Sequence, residues 1–290
     1  MYKLIAIDLD GTLLNSYGEV PKENIEAIKK VTEKGIKVVL ASGRISESVY
    51  QIAKETGADQ YFISGNGAMI YDIQTQNVIY EKFMDKGKIL ELIKLCEDNS
   101  IFYNVYTEDM VIAKSLNYNV AFYYHENAKK AQEKKTNINI VEDVYSYIQK
   151  SNVKHFLKMT ICEENEIIFK RILRKLKEVS DIEVLDVSHM SRKKIRSGTE
   201  EVKVDYYYTE ITKKNVDKWY ALQEIMNREG IKQEEVMAIG DNMNDLEMIK
   251  NAGMGVAMGH SNPQVKEVAN YITLDNNEAG VAKAIEKIIQ

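Results

Sequence analysis

At 290 residues, 44% hydrophobic and 29% charged, the chain can hold one large domain or two smaller ones, and its composition is ordinary for a soluble globular protein. A net charge of −5 speaks against a general nucleic-acid binder, which carries a basic footprint. The two cysteines, Cys96 and Cys162, lie far apart without metal-ligand spacing and read as reduced thiols, as in a reducing cytoplasm. No apolar run is long enough to cross a membrane, and Asp8 and Asp10 interrupt the place where a signal peptide would be apolar. The expectation is a cytoplasmic protein with neither a membrane nor a nucleic-acid partner.

The chain opens on Lys3-Leu4-Ile5-Ala6-Ile7, an apolar run that reads as a buried strand. It stops at Asp8-Leu9-Asp10-Gly11-Thr12, where Gly11 makes a tight loop. In an open parallel sheet, ligands sit just beyond the carboxyl ends of the strands. Two carboxylates at i, i+2 share one side of an ideal strand and repel, and a hard cation such as Mg²⁺ would relieve that repulsion. One carboxylate could then attack phosphorus and the other serve as general acid and base. Taken alone, Asp-x-Asp-Gly is equally a solvated turn.

Residues 21–34 read as a helix opened by Pro21, with Ile25, Ile28 and Val31 on its apolar face and Gly35 as its stop. A buried strand over 36–41 ends in Ser42-Gly43-Arg44, a hydroxyl, a close-approach glycine and an arginine fork that suit a phosphate or polar substrate. Ser42 could equally be a helix cap. A helix over 46–56 and a strand over 61–64 follow, the strand ending in Gly65-Asn66-Gly67-Ala68. Asn66 is either a left-handed turn residue or a group pointing into the same site. The strand–helix alternation predicts a doubly wound parallel sheet.

The pattern changes near Met84. A helix over 88–98, a hairpin of strands over 101–106 and 110–113, helical stretches over 117–135 and 143–150, a strand over 154–162, a helix over 164–179 and strands over 182–187 and 202–210 predict an inserted α+β segment. Residues 191–198 read as a basic hairpin tip, either solvated or anion-attracting. Tyr206-Tyr207-Tyr208 reads as strand packing. The α/β pattern returns at Asp217, which can cap a helix running to Gly230. A strand over 235–239 ends in Gly240-Asp241-Asn242-Met243-Asn244-Asp245, a second acidic cluster or, taken alone, a polar turn. A short helix from Leu246, a strand over 255–258, a helix opened by Asn262-Pro263, an edge strand over 271–273 and a closing helix over 278–289 complete the chain.

Asp8-Leu9-Asp10-Gly11-Thr12-Leu13-Leu14, Ser42, Lys218 and Gly240-Asp241-Asn242-Met243-Asn244-Asp245 fall in the order of four motifs, and together the chain resembles the haloacid dehalogenase superfamily. Positions 11–41 between Asp10 and Ser42 hold only a loop, a helix and a strand, whereas positions 43–217 far exceed one strand and its helix. The insertion therefore lies between the second and third motifs, which resembles the Cof-type branch, subfamily IIB. Ala41-Ser42-Gly43-Arg44, Asn66-Gly67-Ala68 and Gly255-Val256-Ala257-Met258-Gly259 echo phrases of that branch. Two positions depart from it: Trp219 stands where the family has Gly, and His260 where it has Asn.

The resemblance implies a catalytic core over 1–83 and 212–290, an α+β cap over 84–211, and a Mg²⁺-dependent phosphatase of small phosphorylated metabolites. Asp8 would be the nucleophile and Asp10 the general acid and base. The metal set would be Asp8, Asp10 through its backbone carbonyl, Asp241 and Asp245, the last supporting from behind. Leu9 and Gly43 through their N–H groups, with Ser42, Lys218 and Asn244, would hold the phosphate, and Arg44 and Asn66 would contact the substrate. Lys214 is the alternative to Lys218. A phosphomutase and a non-catalytic ligand sensor are the competing functions, and a monomer is the expected state.

Overall fold

The computed structural model describes residues 2–58, 60–128, 135–185, 190–197 and 200–288, the backbone alone for residues 126, 190–197, 200–205 and 288. In chain order the first elements are β1 (Leu4–Ile7), α1 (Lys22–Glu33), β2 (Lys37–Ala41), α2 (Ser46–Thr56), β3 (Tyr61–Ser64), β4 (Met69–Asp72) and β5 (Asn77–Glu81). Next come α3 (Lys86–Glu97), β6 (Phe102–Thr107), β7 (Val111–Ala113), α4 (Tyr118–Asn127), β8 (Ile138–Ile140), α5 (Val144–Lys150), β9 (Phe156–Glu163), α6 (Glu166–Lys177), β10 (Ile182–Val184), β11 (Met190–Ser197) and β12 (Glu200–Lys213). The chain closes with α7 (Lys218–Glu229), β13 (Val236–Gly240), α8 (Leu246–Asn251), β14 (Met254–Ala257), α9 (Pro263–Val268), β15 (Tyr271–Ile272) and α10 (Gly280–Ile288).

Two compact units result, Met1–Glu81 with Val216–Gln290, and Lys82–Asn215. The first is built on an eight-stranded sheet in the order β15-β14-β13-β1-β2-β3-β4-β5. From β15 to β3 every pairing is parallel. β1 is central and wholly buried, which is why it reads as an uninterrupted apolar run. Chain order reverses on either side of it, so β1, β2 and β13 deliver their carboxyl ends to the crevice where open α/β sheets bind ligands. Helices cover the sheet with stripes such as Leu222, Ile225 and Met226 of α7, set against Leu4, Ala6, Val39 and Ala238. Asn24, fully buried on α1, donates to the Leu13 carbonyl at 3.2 Å and accepts from the Ala282 N–H at 2.9 Å, tying the first loop to α10.

The antiparallel strands β4 and β5 extend this sheet beyond β3 and were not expected from the sequence. Asp72 turns the hairpin by accepting from the N–H groups of Gln74 and Thr75, at 2.9 and 3.1 Å.

The second unit is a sheet in the order β10-β12-β9-β6-β7-β8, with β11 added on β12, antiparallel except for β7 with β8. Residues 191–197, read as part of a hairpin tip, lie in β11, a strand paired along Ser191↔Tyr206 to Ser197↔Glu200. Gly198 lies outside the described residues, as do 129–134 of the expected helix over 117–135 and 186–187 of the expected strand over 182–187. One face of the sheet packs Tyr103, Val105, Met159, Ile161 and Ile211 against Ile89, Leu92 and Ile93 of α3 and Phe169 and Ile172 of α6. The register places Asn104, Thr160 and Glu210 in one row and Tyr106 with Lys158 in the next. Lys158 is only 2% exposed, 2.5 Å from Glu210 Oε1 and 4.7 Å above the Tyr106 ring. Its charge is buried and paired where alternation alone would have left it in water.

Candidate active site

The site gathers at the carboxyl ends of β1, β2 and β13. Beyond β1 the chain turns tightly, with the Leu13 N–H on the Asp8 carbonyl and the Thr12 and Leu14 N–H groups on the Leu9 carbonyl. Asp8 is buried, while the Asp10 side chain is 59% exposed. The two carboxylates separated by Leu9 therefore meet different surroundings. Gly11 has φ +84°, and a Cβ there would lie 2.6 Å from Asp241 Oδ2, so this turn needs glycine for both conformation and space. Thr12 is fully buried and donates to Asp241 Oδ1 at 3.1 Å. Sequence reading passed over Thr12; its signal was its place directly after the Asp-x-Asp-Gly turn.

Beyond β2, Ser42 is buried and its Oγ accepts the Arg44 N–H at 3.2 Å. Ser42 does not cap α2, whose N-cap residue is Ile45. Arg44, expected to contact substrate, lies on Asp10: Nε reaches Oδ2 at 2.8 Å and Nη2 reaches Oδ1 at 2.6 Å, a two-pronged ionic contact. Beyond β3, Asn66 adopts φ 60° and is buried, with Oδ1 accepting from Asn244 Nδ2 at 3.1 Å. The left-handed turn and the inward-pointing side chain are thus both present. A Cβ on Gly67 would fall 2.0 Å from the Asp217 carbonyl oxygen, so this loop packs directly on the start of α7.

Asp217 caps α7 by accepting the Tyr220 N–H at 2.8 Å, which fixes the turn carrying Lys218. Lys218 is 1% exposed, and Nζ lies 2.5 Å from Asp8 Oδ1 and 2.6 Å from Asp245 Oδ1. Lys214 is exposed and belongs to the other unit. Trp219 turns away from this cluster into the sheet-and-helix core, so a bulky side chain is accommodated after the lysine. Beyond β13, Asp245 commits its second oxygen to the N–H groups of Asp241 and Asn242, at 3.0 and 3.1 Å. His260 stands between two acids, 3.7 Å from Asp241 Oδ2 and 3.4 Å from Asp275 Oδ1.

Burial pushes the Asp8 carboxyl well above the ordinary carboxylate range, and the charges of Asp245 and Asp241 add to it against the pull of Lys218. Burial also raises Asp241, opposed by His260 and Thr12. Burial works against the charge of Lys218, but Asp245 and Asp8 outweigh it and hold the ammonium firmly protonated. The hydrogen bond to Asp241 raises His260 in turn. With all three carboxylates ionised, the cluster would carry more negative charge than Lys218 neutralises. Asp8, Asp241 and Asp245 each bring a carboxylate oxygen within 4.8 Å of the others, an all-oxygen donor set that fits a hard divalent cation. With Asp245 bound to Lys218 and the loop, Asp8 and Asp241 are the carboxylates placed to hold such an ion.

The family model for haloacid dehalogenase-like hydrolases matches residues 5–285. The phosphatase YwpJ of Bacillus subtilis is 29% identical over 99% of this chain and 100% of its own. The 5-amino-6-(5-phospho-D-ribitylamino)uracil phosphatase YcsE of the same organism is 29% identical over 98% of this chain and 94% of its own. A crystal structure of a haloacid dehalogenase-like hydrolase from Bacteroides thetaiotaomicron covers both chains fully at 31% identity, with a TM-score of 0.77. The carboxylate cluster at the ends of β1 and β13 is therefore set in a known frame: this chain belongs to the haloacid dehalogenase-like hydrolases.

Proposed function

We propose that this protein is a Mg²⁺-dependent phosphatase that hydrolyses small phosphorylated metabolites through a phosphoryl group carried on Asp8. The observation that carries the reading is the Lys218 ammonium held between Asp8 and Asp245, at 2.5 and 2.6 Å, with Asp241 alongside. Nucleophile, counter-charge and metal-binding acids then share one small volume. Relatives named as phosphatases across nearly the full chain support the reaction class.

Asp8 and Asp241, with the Asp10 backbone carbonyl, would hold a divalent ion, which would supply charge neutralisation for the incoming phosphate. Asp8, its negative charge offset by Lys218, attacks phosphorus and displaces the leaving oxygen. Asp10 gives that oxygen a proton and later takes one from the water that frees phosphate from Asp8. Ser42, Asn244, Lys218 and the N–H groups of Leu9 and Gly43 hold the phosphoryl oxygens, where preorganised donors act on developing charge. Asp245 holds Lys218 and the β13 loop in place.

The test is phosphate release from a panel of sugar phosphates, nucleotides, flavin mononucleotide and pyridoxal phosphate, with Mg²⁺ and with chelator. Asp8→Asn serves as the blank. Chelator-sensitive release that disappears in the variant supports the reading and names the substrate group. Silence across the panel overturns it.

A further inference from the structure

We propose that Arg44 is a positioning residue for Asp10, not a substrate contact, and that it serves the hydrolytic half of the reaction. This rests on the phosphatase reading above. Asp10 is a side chain on a tight loop, 59% exposed, and left to itself it would sample several rotamers. Arg44 is only 9% exposed and is itself held: Nη1 donates to Ser48 Oγ at 3.2 Å, and its backbone N–H donates to Ser42 Oγ at the same distance. Its remaining edge points Nε and Nη2 at the two Asp10 oxygens, 2.8 and 2.6 Å away. A buried, rigid fork thus fixes the plane of an exposed carboxylate.

The contact also selects which form of Asp10 is fitted. Two N–H donors aimed at two oxygens suit a carboxylate, whereas a carboxylic acid presents an O–H that would oppose one prong. The step that starts from the carboxylate is water activation. There the water oxygen bonds to phosphorus, the phosphorus–Asp8 oxygen bond breaks with its electron pair returning to Asp8, and the water proton passes to Asp10. Arg44 holds Asp10 ready for that proton. The guanidinium is engaged by Asp10 and Ser48 and buried among them, which argues against a role as a free anchor for substrate.

The experiment measures steady-state constants and the fraction of enzyme carrying a phosphoryl group, by rapid acid quench with labelled substrate, for wild type, Arg44→Gln, Arg44→Lys and Ser48→Ala. Slowing hydrolysis alone lowers kcat and KM together and leaves kcat/KM almost unchanged. For Arg44→Gln the expected fall in kcat is about 10- to 100-fold, at most the low end of what a general base contributes, with phosphoenzyme accumulating. Arg44→Lys keeps the charge but not the fork and recovers only part of kcat. Ser48→Ala removes one support of the guanidinium and shifts the same constants less, which keeps the test available should Arg44→Gln fold poorly. A raised KM at unchanged kcat, or a fall in kcat/KM without phosphoenzyme, overturns the proposal while the phosphatase reading stands. A wild-type enzyme that turns over no substrate overturns both.

Discussion

Lys218→Met removes the ammonium between Asp8 and Asp245 while keeping most of the buried stem. The three side chains are 0%, 6% and 0% exposed, so water cannot replace the lost counter-charge. Removing one partner of a buried ion pair costs about 3–5 kcal/mol, because the charge left behind is uncompensated. Here two carboxylates are left, with Asp241 adding to their repulsion. Protonation relieves them, and a carboxyl raised in the folded state holds protons that the unfolded chain, with its ordinary value of 3.8, has released. The loss relative to wild type is therefore smallest in acid and grows as pH rises above that value. The assay is urea unfolding of the metal-free protein at pH 5 and pH 8, followed by fluorescence. The single tryptophan, Trp219, sits in the core of the unit that carries the site and reports on that unit. A loss below about 1 kcal/mol at pH 8, far under the buried-pair range, or the same loss at both pH values would refute the reasoning.

Four further outcomes follow from the same geometry. Asp8 and Asp241 are both raised, so the metal-free wild type loses stability as pH rises from about 4 through their folded values, and Mg²⁺ restores it; thermal melts at pH 5 and pH 8, with Mg²⁺ and with chelator, check the sign. Asp241→Asn removes one ion-holding carboxylate, and calorimetry should show Mg²⁺ binding weakened at least tenfold, about 1.4 kcal/mol. Gly11→Ala places a Cβ 2.6 Å from Asp241 Oδ2 at φ +84°, so a loss of about 1–3 kcal/mol in stability and a weaker Mg²⁺ isotherm are expected. In the other unit, Lys158→Met removes the buried ammonium paired with Glu210 and costs about 3–5 kcal/mol, whereas Lys158→Met with Glu210→Leu recovers most of it; chemical denaturation of the single and double variants decides.

What could be read from the sequence was whatever a local pattern encodes. β1 is legible because a strand buried on both faces must be apolar throughout. Asp8 and Asp10, which alone could be a solvated turn, take their reading from the other polar segments expected at the same sheet edge. α1 is legible from the spacing of Ile28 and Val31 and the glycine that ends it, Gly35 at φ 81°. The β4–β5 hairpin was missed although Ile70-Tyr71 and Val78-Ile79-Tyr80 are strand-forming, because the doubly wound pattern leads a reader to look for a helix after β3. β8 has three residues and acquires its identity only by pairing with β7. Side-chain partners were less legible still. Lys218 could be chosen over Lys214 because Asp217 caps its helix, but neither the Arg44–Asp10 fork nor the Lys158–Glu210 pair has a sequence signature. Each joins residues whose separation says nothing about approach, and Thr12 with Asp241 joins the two ends of the chain.

Phosphorylation of Asp8 is the claim on which the chemistry depends. The measurement is rapid acid quench of enzyme mixed with labelled substrate and Mg²⁺, followed by peptide mapping of the trapped protein. Up to one phosphoryl group per chain, located on Asp8 and absent from Asp8→Asn, is the expected result. Turnover with no label on Asp8, or with label on another residue, would contradict it.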